Sequence, residues 1–340
     1  TGPEEPYRHR QGYYAHVKPL EHWRVRTGDH AWRLRWKAPA GSDWRLYLFC
    51  ARRMWEFDRM NRLDVLRPES SEWFLRETHE VYADRFGEYF GDTIPGVMID
   101  EPKFWSMPWS PVLPAAFANR FGMDLVEQLP AIFDPVIENS AVRRANYHHL
   151  CSDLFNENYI RPIADWCVEH DLLLTGHISP EEDLSHETDF TGSIHRHLSH
   201  FGIPGTDLIM QTVGDRERPA LNLAPRLAAS VANQNQQERV FTEVGACCEE
   251  DLSLEQVKYL VDWHFVNGID LISFHGLAYS MDGFRKFLAG QPFSVYNNLW
   301  SDFDSLADHI EAISRFLTQH PRSPRVAVLN PHPPSRTLTT

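Results

Sequence analysis

Pro95-Gly-Val-Met-Ile-Asp-Glu-Pro102 is the stretch on which the reading of this chain turns. Its apolar run is too short for a helix, follows the turn-forming Gly91-Asp-Thr-Ile-Pro95, and stops on two acids and a proline. An unbroken apolar run of this length is the mark of a strand covered on both faces, as in a parallel sheet. The same form recurs at Leu172-Leu-Leu-Thr-Gly-His177, Gly205-Thr-Asp-Leu-Ile-Met210, Arg239-Val-Phe-Thr-Glu243 and Ile269-Asp-Leu-Ile-Ser-Phe-His275. Helical stretches stand between these runs, over 114–129, 141–170, 225–236 and 254–267. A further helix begins near Pro68, with Trp73, Phe74, Tyr82, Phe86 and Phe90 at helical spacing. Strand–helix alternation of this kind specifies a parallel sheet with helical crossovers. The expected architecture is a (β/α)8 TIM-type barrel, incomplete at its N-terminus, with later strands centred near residues 47, 98, 174, 208, 241 and 272.

Outward from that core, residues 22–50 read as β structure. Trp32, Leu34 and Trp36, then Trp44, Leu46 and Leu48, alternate with polar residues across a Lys37-Ala-Pro-Ala-Gly-Ser-Asp43 turn. The expected organisation is a β-rich segment over 1–50, a catalytic barrel over 51–320, and the start of a following α/β unit over 321–340. The last boundary rests on Pro321-Arg-Ser-Pro324, which precedes the strand-like Arg325-Val-Ala-Val-Leu-Asn330.

Composition narrows the function. The 340 residues are 42% hydrophobic and 12% aromatic, enough for a sizeable core. A net charge of −14 with scattered Lys and Arg excludes a phosphate-backbone partner, so no nucleic acid is expected. No apolar run approaches the roughly 20 residues that span a bilayer, so no membrane partner is expected. The five cysteines, one adjacent pair among them, read as reduced thiols rather than a disulfide framework. With no Asn-x-Ser/Thr sequon, this leans toward a cytoplasmic setting but leaves localisation open. Oligomeric state is left open as well.

In a barrel of this type the chemistry sits at the C-terminal strand ends. That rule selects Asp100, Glu101, His177, Asp207, Glu243 and His275. Hydrolysis of a glycosidic bond needs one protonated and one ionised carboxyl group on opposite sides of the anomeric carbon. Glu101 is the expected general acid: Pro102, Phe104 and Trp105 flank it, and apolar flanks favour a carboxyl group's neutral form. Glu243, between Thr242 and Gly245 with backbone amides nearby, is the expected base or nucleophile. A competing assignment makes Asp100 the acid and Glu101 a loop ion-pair partner. Asp100, His177, Asp207, His275 and Tyr279 are expected to contact substrate, with Trp105 and Trp109 as stacking platforms for sugar rings or as aromatics packed over the barrel rim. The expected partner is a carbohydrate, and no cofactor follows from the residues themselves. The histidines from His177 to His200 carry no His-x-x-x-His or His-Glu-x-x-His unit, which argues against zinc and leaves any metal unknown. Two other readings remain open. One is a metal-dependent barrel hydrolase with His177, Asp207, Glu243 and His275 as ligands; the other is a non-catalytic carbohydrate-binding barrel.

The chain resembles the glycoside hydrolase family 106 type of α-L-rhamnosidase. The resemblance rests on Leu63-Asp-Val-Leu-Arg-Pro-Glu69, Pro95–Pro102, Thr175-Gly-His-Ile178, Ile203-Pro-Gly-Thr-Asp207 and Phe241-Thr-Glu-Val-Gly-Ala246. Gly268-Ile-Asp-Leu-Ile-Ser-Phe-His-Gly276 and Arg325-Val-Ala-Val-Leu-Asn-Pro331 also fit, so it covers most of residues 40–330. Members of that family invert and can use calcium. The resemblance implies a pair of glutamates after barrel strands, as acid/base and nucleophile, and leaves the stereochemistry open. The earlier barrel strands of that family are not found in residues 1–30. From the residues alone, retention and inversion stay open.

Overall fold

A computed structural model describes two strands within 23–35, positions 40–41, 43–45, 47 and 49, and residues 63–328 apart from 182–183, 209–212, 214–222, 249–251, 277–279, 281, 284–292, 294, 321–323 and 325. The chain divides into two compact units, Thr1–Arg62 with Trp109–Leu150, and Leu63–Pro108 with Cys151–Thr340.

The first unit contains an antiparallel hairpin of β1 (Trp23–Thr27) and β2 (Ala31–Arg35), with Val25 opposite Arg33. It also holds α3 (Leu113–Phe121), α4 (Leu125–Phe133) and the first part of α5 (Ser140–Phe155). Asp124 caps α4, its carboxylate accepting from the Val126 amide at 2.8 Å. Leu113, Phe117 and Leu125 are fully buried here, each contributing on the order of 2 kcal/mol of transfer free energy.

The second unit carries the parallel sheet. Its helices α1 (Pro68–Phe74) and α2 (Glu80–Phe86) are joined by a π turn, Leu75–His79. The helix expected from Pro68 therefore forms, but Trp73, Tyr82 and Phe86 are exposed rather than in a core. For Tyr82 and Phe86 the π turn is the reason, since its extra residue rotates the face that follows it. Next come β3 (Gly96–Asp100), α6 (Arg161–Glu169), β4 (Leu173–His177), α7 (Leu184–Phe190), α8 (Ile194–Leu198) and β5 (Ile203–Leu208). Then follow α9 (Ala224–Asn235), β6 (Phe241–Val244), α10 (Leu254–Asn267), β7 (Leu271–Phe274) and α11 (Phe303–Gln319). Helix α10 starts on a capping box between Ser253 and Gln256 and stops at Gly268, whose φ of 110° suits only glycine. Helix α6 packs on β4 and α9 on β5. Leu174, Phe155, Ile178, Ile194 and Phe201 are buried in this unit, and Leu208, Val244 and Leu260 form a cluster under the sheet.

The five strands pair in parallel in the order β3-β4-β5-β6-β7. This corrects the expectation of a (β/α)8 barrel: the strands run in parallel with helical crossovers, but among the described residues five of them form a sheet rather than an eight-stranded closed ring. Strand–helix alternation specifies only which strands are neighbours. Closure requires the first strand to meet the last, and with the tilt of a small barrel this takes about eight strands. The strand expected near residue 47 is not formed among the described residues, where Trp44 and Phe49 are exposed and lie in the first unit. At the other end, Val326 and Val328 are exposed and belong to no strand.

One buried group makes the second unit acid-sensitive. His264 on α10 is fully buried; its Nδ1 bonds the Leu260 carbonyl at 2.7 Å and its Nε2 has no hydrogen-bond partner. Burial pushes its pKa down to about 4 despite the bond to Leu260. The unfolded chain therefore binds a proton that the folded chain refuses between pH 6.5 and 4, so stability falls as pH drops through that window. The full loss is about 3 kcal/mol. His264→Leu is expected to flatten the decline of the thermal midpoint over this range, and an unchanged slope would rule this source out.

Candidate active site

Parallel pairing lines up the polar strand ends. Asp100 stands beside His177 across β3 and β4, and Asp207 beside Glu243 across β5 and β6. Small residues let these strands approach. A Cβ on Gly176 would lie 2.0 Å from the Ile99 carbonyl oxygen, and one on Gly205 2.5 Å from that of Gly176.

His177 is the hub. Its side chain is 1% exposed, and Nε2 stands 3.2 Å from Glu243 Oε2 and 3.4 Å from Asp100 Oδ1. On the other side of the ring, Nδ1 lies 3.8 Å from Glu181 Oε1 and 3.9 Å from Asp207 Oδ1. Burial alone would push the imidazole's pKa down. The hydrogen bond with Glu243 and the charges of Asp207, Glu243 and Asp100 outweigh it, and the pKa is raised. Glu243 shifts the opposite way: its bond to His177 lowers the carboxyl pKa against the effect of burial, and the charges of His177 and His275 add to this. Glu243 is thus an ionised carboxylate at neutral pH, its side chain 16% exposed, with His275 Nε2 at 3.8 Å from Oε1.

Glu101 sits apart from that hub. It follows β3 in the left-handed region at φ 46°, a conformation that costs a non-glycine residue about 1 kcal/mol or more. Its carboxylate accepts from Lys103 Nζ at 2.7 Å and is 34% exposed. The apolar flanks expected from the sequence are thus joined by an ammonium group. Lys103 also reaches Ser179 Oγ at 3.4 Å and stands 4.8 Å from the Trp105 ring centre. Trp105 packs edge-on against Phe190, so one face of this expected sugar platform carries Lys103. Trp109 belongs to the first unit and is 40% exposed. Tyr279 lies outside the described residues.

The structure therefore gathers Asp100, His177, Asp207, Glu243 and His275 into one chain of contacts. It adds Glu181, which the sequence reading passed over. Glu181 is 5% exposed and its Oε1 accepts from the Thr206 hydroxyl at 3.1 Å and the Asp207 amide at 3.0 Å. The only signal in the sequence was its place four residues after His177. Lys103 was missed too, though it stands two residues after Glu101. Other histidines of the same region are structural: His197 and His200 both bond Asn156, at 3.0 and 3.2 Å, and His195 bonds Gln234.

Family 106 enzymes can use calcium, and the acidic groups gathered here are few for it. Calcium takes six to eight oxygen ligands. Among the described residues the two groups that converge are Asp100, His177 and Glu243, and His177, Glu181 and Asp207. Each offers two carboxylates and an imidazole nitrogen, so no step is assigned to calcium. Among the described residues, no helix is long and apolar enough to cross a membrane.

No family model matches the chain, and no curated protein matches it in sequence. Among solved structures, the rhamnosidase from Novosphingobium sp. PP1Y is similar, with a TM-score of 0.59 and 22% identity over 77% of this chain. The chain spans 25% of the length of that protein. At this identity the likeness is one of fold.

Proposed function

We propose that the chain is part of a glycoside hydrolase of the family 106 type, acting on an α-L-rhamnoside, with Glu243 as base or nucleophile and Glu101 as general acid. The observation that carries this reading is Glu243 itself: a carboxylate at the end of a parallel strand, kept ionised by a buried histidine and flanked by a second histidine. The fold likeness to a rhamnosidase supports the sugar class.

The residues divide the work. The Nε2–H of His177 donates to Oε2 of Glu243, which directs the remaining oxygen, Oε1, toward a water or an anomeric carbon. Asp100 suits the second role less well than Glu101. Its ligand oxygen lies within 4.8 Å of that of Glu243, closer than the roughly 5–5.5 Å of retaining pairs or 6.5–9.5 Å of inverting ones. Glu101, one residue further along and beside a surface loop, is the carboxyl group free to reach a leaving-group oxygen once Lys103 turns away. Asp100 and His275, the more exposed members of the cluster, are placed to bond sugar hydroxyls.

The test is release of nitrophenol from a panel of aryl glycosides by the purified chain. Turnover of the α-L-rhamnoside is the expected result. Turnover of a different glycoside alone would refute the sugar, and inertness across the panel, in folded protein, would refute the activity.

A further inference from the structure

The far side of the His177 ring is the place where chemistry is left over. Glycoside cleavage as read above uses Nε2, and Nδ1 has no part in it. Nδ1 is buried and has no hydrogen-bond partner, since Glu181 Oε1 and Asp207 Oδ1 stand 3.8 and 3.9 Å away, beyond hydrogen-bond reach. The three side chains come from the end of β4, the loop behind it and the end of β5, and are 1%, 3% and 5% exposed. One ligand atom from each falls within 4.8 Å of the others.

We propose that His177 Nδ1, Glu181 and Asp207 form a buried binding site for a divalent transition-metal ion of the zinc class. Two ligands each about 2.1 Å from one ion lie about 3.4 Å apart at a tetrahedral angle and about 3.6 Å apart at a trigonal one. The observed 3.8 and 3.9 Å need to close by only a few tenths of an ångström. One imidazole with two carboxylates suits zinc, and manganese next, rather than an ion that demands an all-oxygen shell. The outer shell is already in place. The Thr206 hydroxyl and the Asp207 amide orient Glu181 through Oε1, and Nε2 of His177 faces the Glu243 carboxylate at 3.2 Å. An ion on Nδ1 leaves the imidazole one tautomer, with its proton on Nε2 and donated to Glu243, the carboxylate–histidine–metal arrangement that fixes ring orientation. The ion would then be a structural brace behind Glu243 and would not touch substrate.

The experiment measures metal, so its outcome is independent of which glycoside, if any, is cleaved. Purified chain is stripped with a chelator and titrated with Zn²⁺, Mn²⁺ and Ca²⁺, following bound metal by elemental analysis and the thermal midpoint. One equivalent of Zn²⁺ and a raised midpoint are expected, with weaker Mn²⁺ and no response to Ca²⁺. Glu181→Gln and Asp207→Asn should each weaken Zn²⁺ binding about 100-fold or more, whereas Glu243→Gln, outside the inner shell, should weaken it by about 10- to 100-fold at most. X-ray absorption at the zinc edge should show one imidazole and otherwise oxygen neighbours. The proposal is overturned if the native chain holds no Zn²⁺, if Zn²⁺ binds undiminished to both acid variants, or if the absorption spectrum lacks the imidazole. The native titration and spectrum decide it even where a variant does not fold.

Discussion

Glu243→Gln is expected to abolish turnover of both an ordinary glycoside and one with an activated leaving group, by roughly 10²- to 10⁴-fold. The substitution keeps the size of the side chain and removes its charge. His177 Nε2 at 3.2 Å can still donate to the amide oxygen, so the fold around β6 should hold and the thermal midpoint should move little. What is lost is the ionised oxygen that deprotonates water or attacks the anomeric carbon, a requirement that no leaving group relieves. Glu101→Gln should behave differently: cleavage of an ordinary glycoside falls by a similar factor, while an aryl glycoside whose phenolate leaves without a proton keeps much of its rate. Steady-state rates on the two substrates check this. The opposite pattern would exchange the two roles. Equal losses on both substrates for both variants would remove Glu101 from the acid's position and restore Asp100 as a candidate.

Gly176→Ala should give the largest loss of stability of any single methyl group added to the second unit. Gly176 is the fourth residue of β4, paired with Ile99 on one side and Pro204 on the other. A Cβ there would stand 2.0 Å from the Ile99 carbonyl oxygen and 3.0 Å from its carbonyl carbon and amide nitrogen, all backbone atoms that no rotamer change can move. Its φ of 117° adds strain for any L side chain. The strand pair must separate, and with it the juxtaposition of Asp100 and His177. A cost of about 4 kcal/mol or more is expected, lowering the thermal midpoint by roughly 10 °C. Gly87→Ala is the control: its φ is −56° and nothing lies within 4 Å of the added methyl. Circular dichroism melts of both decide the matter, and equal midpoints would show that β3 and β4 are not packed as described.

Much of this was legible along the chain. Four apolar runs ending in Asp100, His177, Glu243 and His275 became β3, β4, β6 and β7, since short apolar runs between turn and helix signals favour a parallel sheet; β3 and β7 are only partly covered, with Met98 42% exposed. The helices between them followed from the same periodicity, and α10 announced itself by Ser253 and Gln256 at capping-box spacing. Strand-end polarity likewise marked His177, Asp207, Glu243 and His275, all of which the structure connects. The exposed face of α2 was not legible, because the π turn before it changes which residues look outward.

What local pattern determined by itself was the alternation of strand and helix and the polar end of each strand, since hydrophobic periodicity acts over a few residues. What only the tertiary structure decided was how many strands join one sheet and which side chains meet across it. Closure into a ring depends on a pairing between distant strands that no local run encodes, and among the described residues five strands pair without it. Glu181 carries no distinguishing neighbours in sequence, yet the loop after β4 folds it against Asp207 and His177. Glu101 and Asp100 are adjacent in the chain, and the turn to φ 46° sends one toward Lys103 while the pleat leaves the other beside His177. Contacts of that kind are set by backbone direction at a few positions, which is a property of the packed sheet and not of the residues taken in order.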